Sequence, residues 1–109
     1  MIVVLAIRYF RLEGQRSSPA DDAITALPAR FRAAIRSDIE AVAEYGIKAP
    51  ASIRTITGQS PMMEIRTGQY RTLFIVDRGE LWILGCCKKQ DQRHAIGLAS
   101  ERMKLVLER

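Results

Sequence analysis

Residues 2–9 (IVVLAIRY) form an apolar, β-branched run that predicts a strand, and the polar stretch from Phe10 to Ser17 predicts a loop. Ser18-Pro19 then marks a helix start. Serine can cap, proline suits the first helical position, and Asp21 and Asp22 complement the positive end of the helix dipole. Pro28 closes this short helix, because the residue before a proline is pushed out of helical geometry. From Pro28 to Tyr45, Phe31, Ile35, Ile39 and Val42 recur at spacings of three and four, with Ala34 and Ala43 beside them. That is one apolar helical stripe, and Gly46 is its natural cap. The two helices should form a hairpin with one greasy side. Strands are predicted at 53–57, 62–67, 70–77 and 80–88, with Gly68-Gln69 and Arg78-Gly79 as turns between the last three. A final helix over 93–108 carries Ile96, Ala99, Met103 and Val106 on one face, although Gly97 costs it about 1 kcal/mol relative to alanine. The order β-α-α-β-β-β-α predicts an α+β fold: an antiparallel sheet with an N-terminal strand, a two-helix hairpin on one face and a C-terminal helix.

Length and composition narrow this further. A chain of 109 residues has room for one core, so residues 1–109 are expected to form a single domain. The balance of 48% hydrophobic and 27% charged residues is that of a globular protein, not a disordered one. The apolar start Met1 to Ile7 is too short to span a bilayer and lacks the basic region and cleavage site of a signal peptide. A cytoplasmic protein without membrane contact is expected. Cys86 and Cys87 are strand neighbours pointing to opposite faces, poorly placed to bond each other. With one histidine they cannot assemble a closed zinc site, so no metal or other cofactor is expected.

The net charge is +5, and it is uneven: residues 1–53 hold seven basic and six acidic residues, whereas 54–109 hold ten and six. A cationic surplus in one half suggests a surface that faces a polyanion. Strand register says where. With two-residue turns, Arg66 lies opposite Arg71, and counting back from Asp77 and Glu80 sets Arg71 against Cys86. Lys88 and Glu64 then share the face of Arg66 and Arg71. The far end of that face is apolar, with Leu73, Ile75, Trp82 and Leu84. The opposite face (Met63, Ile65, Phe74, Val76, Leu81 and Ile83) suits the helical hairpin. Like charges placed opposite each other are destabilising, so an anion bound between the arginines would explain them. Neutralisation by Glu64 in a purely structural cluster is the other explanation. His94 reads as a solvated residue at a helix start, and Tyr70 either stacks a base or packs at a strand end.

Two stretches resemble a known family. "YFRLEGQRSSPADDAITALPARFRAAIRSDIEAVAEYG" is similar to the opening of RelE/HigB-type toxins, especially their phage-derived, host-growth-inhibition branch. "MMEIRTGQYRTLFIVDRGELWILGCCKKQ" resembles that family's E-[LI]-R, Y-R and K-K-[TQ] segments, and "LASERMKLVL" its closing helix. The resemblance implies a RelE-like fold, cleavage of messenger RNA on the ribosome, and neutralisation by a cognate antitoxin, for which a small helix-turn-helix protein is the expected form. On its motifs, Arg66 matches the arginine of E-[LI]-R, Arg71 that of Y-R, and Lys88 and Lys89 the lysine pair. Relatives often carry a histidine or aromatic residue just before the lysines, where this chain has Gly85-Cys86-Cys87.

The expected chemistry is metal-independent. A ribose 2′-OH attacks the adjacent phosphate, Arg66 and Arg71 stabilise the growing charge, and Lys88, crowded by both arginines, or Glu64 acts as base. Lys89, Arg54, Arg93 and Tyr70 would hold the RNA. The competing expectation is a catalytically inactive module of the same fold and phage origin, which binds RNA or a protein partner without cutting.

Overall fold

The computed structural model describes residues 4–109. Of the expected first strand, residues 2–3 lie outside this range, and Ala6–Tyr9 forms β1. Helices α1 (Pro19–Thr25) and α2 (Ala29–Tyr45) follow, then strands β2 (Ser52–Thr55), β3 (Met63–Thr67), β4 (Tyr70–Asp77) and β5 (Glu80–Lys88), and helix α3 (Gln92–Leu107). Ser18 caps α1 as expected, its hydroxyl accepting from the Asp21 amide, and Pro19 occupies the first turn.

The five strands run in the order β1-β5-β4-β3-β2. Three of the four pairings are antiparallel, while β1 lies parallel to β5. No tight hairpin ties β1 to β5, and the long stretch of chain between them, through α1, α2 and β2 to β4, permits the parallel direction. The α+β architecture is the expected one, with a mostly antiparallel sheet.

A helix layer covers each face. Ile24 of α1 and Ile35, Ile39 and Val42 of α2 pack on Ile65, Phe74, Leu81 and Ile83. On the other face, Ala99, Met103 and Val106 of α3 pack on Met62, Leu73, Ile75 and Leu84. The helical stripes read from the sequence are the buried ones, although Ala34 is exposed and Val76 is 43% exposed.

Both turns form as expected. Arg78 and Gly79 both take positive φ, the primed geometry that matches strand twist, and Gly68 takes φ +56°. Thr67 pairs with Tyr70, Arg66 with Arg71, and Asp77 with Glu80. The register then slips. Phe74 pairs with Ile83 but Leu73 pairs with Gly85, so Leu84 is an extra residue in β5. Arg102 of α3 donates to the Leu84 carbonyl at 2.7 Å, satisfying an acceptor at the bulge and tying it to the helix.

Candidate functional site

The bulge decides which side chains share a face. Beyond it every β5 residue is turned over relative to an unbroken count. Arg71 pairs with Cys87 rather than the expected Cys86, and Lys88 pairs with Tyr70. Arg66, Arg71, Glu64 and Arg54 stand on the α3 face, in two adjacent cross-strand rows. Lys88 stands on the face of α1 and α2 and is not crowded by the two arginines. Its expected place in their cluster is therefore corrected.

On the α3 face Glu64 is buried, accepting from Arg66 Nε at 3.0 Å and from the side-chain amide of Gln92, the first residue of α3. Arg66 is 44% exposed at its side chain. Arg71 is buried, at 7% exposure. Its Nη1 donates to the carbonyls of Gly68 and Tyr70, both at 2.9 Å, while its buried Nε has no partner. No carboxylate pairs with Arg71 among the described residues. At the opposite end of the sheet the cations are all paired, Arg78 Nε lying 3.7 Å from Asp77. There Arg109 bridges Asp77 and Glu80, both at 2.9 Å, and Arg8 reaches Glu80 at 2.6 Å. The Gly68 end thus presents two opposed guanidinium groups and one carboxylate, an arrangement that leaves cationic charge for an anion. Arg54 is exposed on the row of Glu64, while Lys89 and Arg93 are exposed where β5 passes into α3.

The other face of the same hairpin end holds a second grouping. Tyr70 lies 5.4 Å, centroid to centroid, from Phe31 of α2, and the guanidinium of Arg30 sits 4.5 Å over the Phe31 ring. With the Gly68-Gln69 turn and Lys88, the Phe31 and Tyr70 rings line a cleft of about 480 Å³. Sequence reasoning treated Phe31 only as part of the apolar stripe.

It also missed Gln92 and Cys87. Cys87 lies beside Arg71 and lines a smaller cleft with Asp91, His94 and Arg102. A glycine inside a strand often marks a bulge, so Gly85 was the available signal for the register change. Both cysteines are free. Burial, with further pressure from Cys86 and Asp91, pushes the Cys87 thiol up from 9.0 to about 11, against some relief from Arg71. A rise of two units makes its thiolate roughly 100-fold rarer at neutral pH than that of an ordinary thiol. Iodoacetamide should accordingly label Cys87 slowly at pH 7–8. The rate should climb about tenfold per pH unit toward pH 10, followed by tandem mass spectrometry of the labelled peptide. Rapid labelling at pH 7 would contradict the burial argument.

The comparisons with known proteins bear on family and fold. Residues 22–104 match the family described as Phage derived protein Gp49-like (DUF891). The chain belongs to that family. Among solved structures, this Gp49-like protein resembles a chain of the RelB-RelE antitoxin-toxin complex from Methanococcus jannaschii. The match has 17% identity and a TM-score of 0.58, and covers 72% of this chain and 93% of that one. At such identity the likeness is one of fold. No curated protein matches the chain. The expected phage-derived family is borne out by the family match, and the expected RelE-like fold by the structural likeness.

Proposed function

We propose that this Gp49-like protein is the toxin of a type II toxin–antitoxin system, an endoribonuclease that cuts translated messenger RNA on the ribosome without a metal ion. The carrying observation is the opposed pair Arg66 and Arg71, the second buried without a carboxylate partner, at the open end of the sheet. Phosphoryl transfer by an internal 2′-OH needs charge stabilisation where negative charge grows, and arginine forks supply it in fixed geometry. The 2′-oxygen attacks the neighbouring phosphorus and loses its proton to a base. The bond to the 5′-oxygen breaks, and that oxygen takes up a proton. The products are a 2′,3′-cyclic phosphate and a free 5′-OH. Arg54, Lys89 and Arg93, all exposed around this end, would hold the RNA backbone.

Glu64 is the carboxylate beside the arginines, and two roles meet in it. It orients Arg66, and in this reading it also takes the 2′-OH proton. Glu64→Gln separates them, because the amide oxygen still accepts from Arg66 Nε but cannot serve as base. Cleavage should fall by about 10²–10⁴-fold in this variant, measured by primer extension on a reporter message, with thermal unfolding little changed. Cleavage at the parental rate would leave Glu64 only its orienting role.

The partner in this reading is a small antitoxin, cognate and of helix-turn-helix type, that covers the cationic end. The resemblance to a chain from an antitoxin–toxin complex supports it. A cytoplasmic setting follows from the ribosomal substrate, and no helix among the described residues is long and apolar enough to cross a membrane. The second reading, an inactive module of the same fold, is favoured by one observation: Lys88, an expected base, faces away from the arginines. RNA or partner binding with no cutting on ribosomes would decide for it.

A further inference from the structure

We propose that the cleft between α2 and the β3–β4 turn is a nucleotide subsite, which seats the base of an RNA residue next to the one cleaved and pairs its phosphate with Lys88. The inference rests on the RNA-cleaving reading and names a binding site on the opposite face of the sheet. Tyr70 and Arg71 are consecutive on β4, so their side chains leave the strand in opposite directions. The Gly68-Gln69 turn touches both groupings: Arg71 donates to the Gly68 and Tyr70 carbonyls, and the cleft is lined by Gly68, Gln69 and Tyr70. An RNA strand whose phosphate meets Arg66 and Arg71 would have only to pass around this turn to bring a neighbouring base to Tyr70.

The cleft has what a nucleotide asks for. Its volume of about 480 Å³ lies within the roughly 300–1,000 Å³ of small-ligand sites. Phe31 and Tyr70 form a tilted aromatic pair, with interplanar angle 51°, and both rings are partly accessible. Stacking of this kind tolerates any base, because every base has a π-face. The cations suit a phosphate: Lys88 is exposed and lines the cleft, and the exposed Arg30 sits 4.5 Å over the Phe31 ring. Lys88 makes no ion pair among the described residues, and Asp38 beside the cleft accepts from the Thr67 hydroxyl at 2.6 Å. An acidic or apolar peptide is the competing occupant, and the test below distinguishes it.

The test is an NMR titration of the whole protein with adenosine 5′-monophosphate and with a single-stranded RNA trinucleotide. Amide shifts should centre on Phe31, Thr67, Gln69, Tyr70 and Lys88. Tyr70→Leu and Lys88→Gln should each raise the dissociation constant at least about fivefold, as loss of one stacked base or one phosphate contact predicts. Lys88 is exposed, so Lys88→Gln remains informative if Tyr70→Leu fails to fold. Shifts elsewhere, unchanged affinity in both variants, or silence toward both nucleotides overturns the proposal, whatever peptide the cleft takes. The titration uses neither ribosome nor cleavage. Nucleotide binding by a protein that never cuts RNA would sink the enzymatic reading and spare the subsite. Cutting without nucleotide binding here would do the reverse.

Discussion

Substituting either arginine of the opposed pair is expected to cost about 10²–10³-fold in message cleavage, the scale seen when one preorganised donor to a growing oxyanion is removed. The two substitutions should differ in what else they do. Arg66 is half-exposed, and its alanine variant should leave the sheet intact while depriving the buried Glu64 of its cation. Arg71 is buried and holds the carbonyls of Gly68 and Tyr70. Arg71→Ala should therefore lower stability by about 1–3 kcal/mol as well, since two acceptors lose their donor. Arg71→Lys restores the charge but not the planar fork, so it should remain strongly impaired. Induced expression in a bacterial host, scored by growth arrest and by mapped RNA ends alongside thermal unfolding, separates chemistry from folding. If Arg71→Ala and Arg71→Lys both arrest growth as the parent does, Arg71 has no part in the reaction.

The sequence carried the two arginines to the right place because they flank a two-residue turn. Over such a short span, hairpin geometry fixes the register with little room for error. The same count failed farther on. From Asp77 and Glu80 it had to pass Leu84, where one extra residue inverts everything beyond, so Lys88 changed faces. Alternation of apolar residues did not expose the slip. Leu84 and Gly85 both face α3, and a glycine has no side chain whose polarity could register the change. The helices were legible because their buried stripes follow one period throughout. Gln92 was not, since its bond to Glu64 depends on how α3 docks after the chain leaves the sheet. The parallel setting of β1 was hidden for a similar reason: nothing local to Ala6–Tyr9 records the direction of a strand more than seventy residues away.

Cleavage is expected to require the ribosome. The cationic end combines two guanidinium groups with one carboxylate that is already engaged by Arg66 and Gln92. Such a site stabilises phosphoryl charge, and neither the exposed cations beside it nor the neighbouring cleft sets the 2′-oxygen in line with the phosphorus. The only histidine, His94, lies on α3 beside a different cleft, with Cys87 and Asp91. In-line attack by the 2′-OH demands that the 2′-oxygen, the phosphorus and the leaving 5′-oxygen be nearly collinear, a geometry free RNA seldom adopts. Alignment of reacting groups can contribute on the order of 7–11 kcal/mol to a barrier. A codon held by the ribosome arrives with part of that ordering done, and in the proposed mechanism the protein has only to add charge stabilisation and proton transfer. Purified protein should therefore leave naked RNA intact at moderate molar excess and cut within codons on stalled ribosomes. The upstream fragments should end in 2′,3′-cyclic phosphate, and chelators should leave the rate unchanged. Efficient cutting of free RNA that depends on added divalent metal would overturn both the mechanism and its division of labour. Cutting of free RNA without metal would overturn only the division of labour, and would mean that the Arg66–Arg71 end, with its neighbouring cleft, aligns the strand by itself.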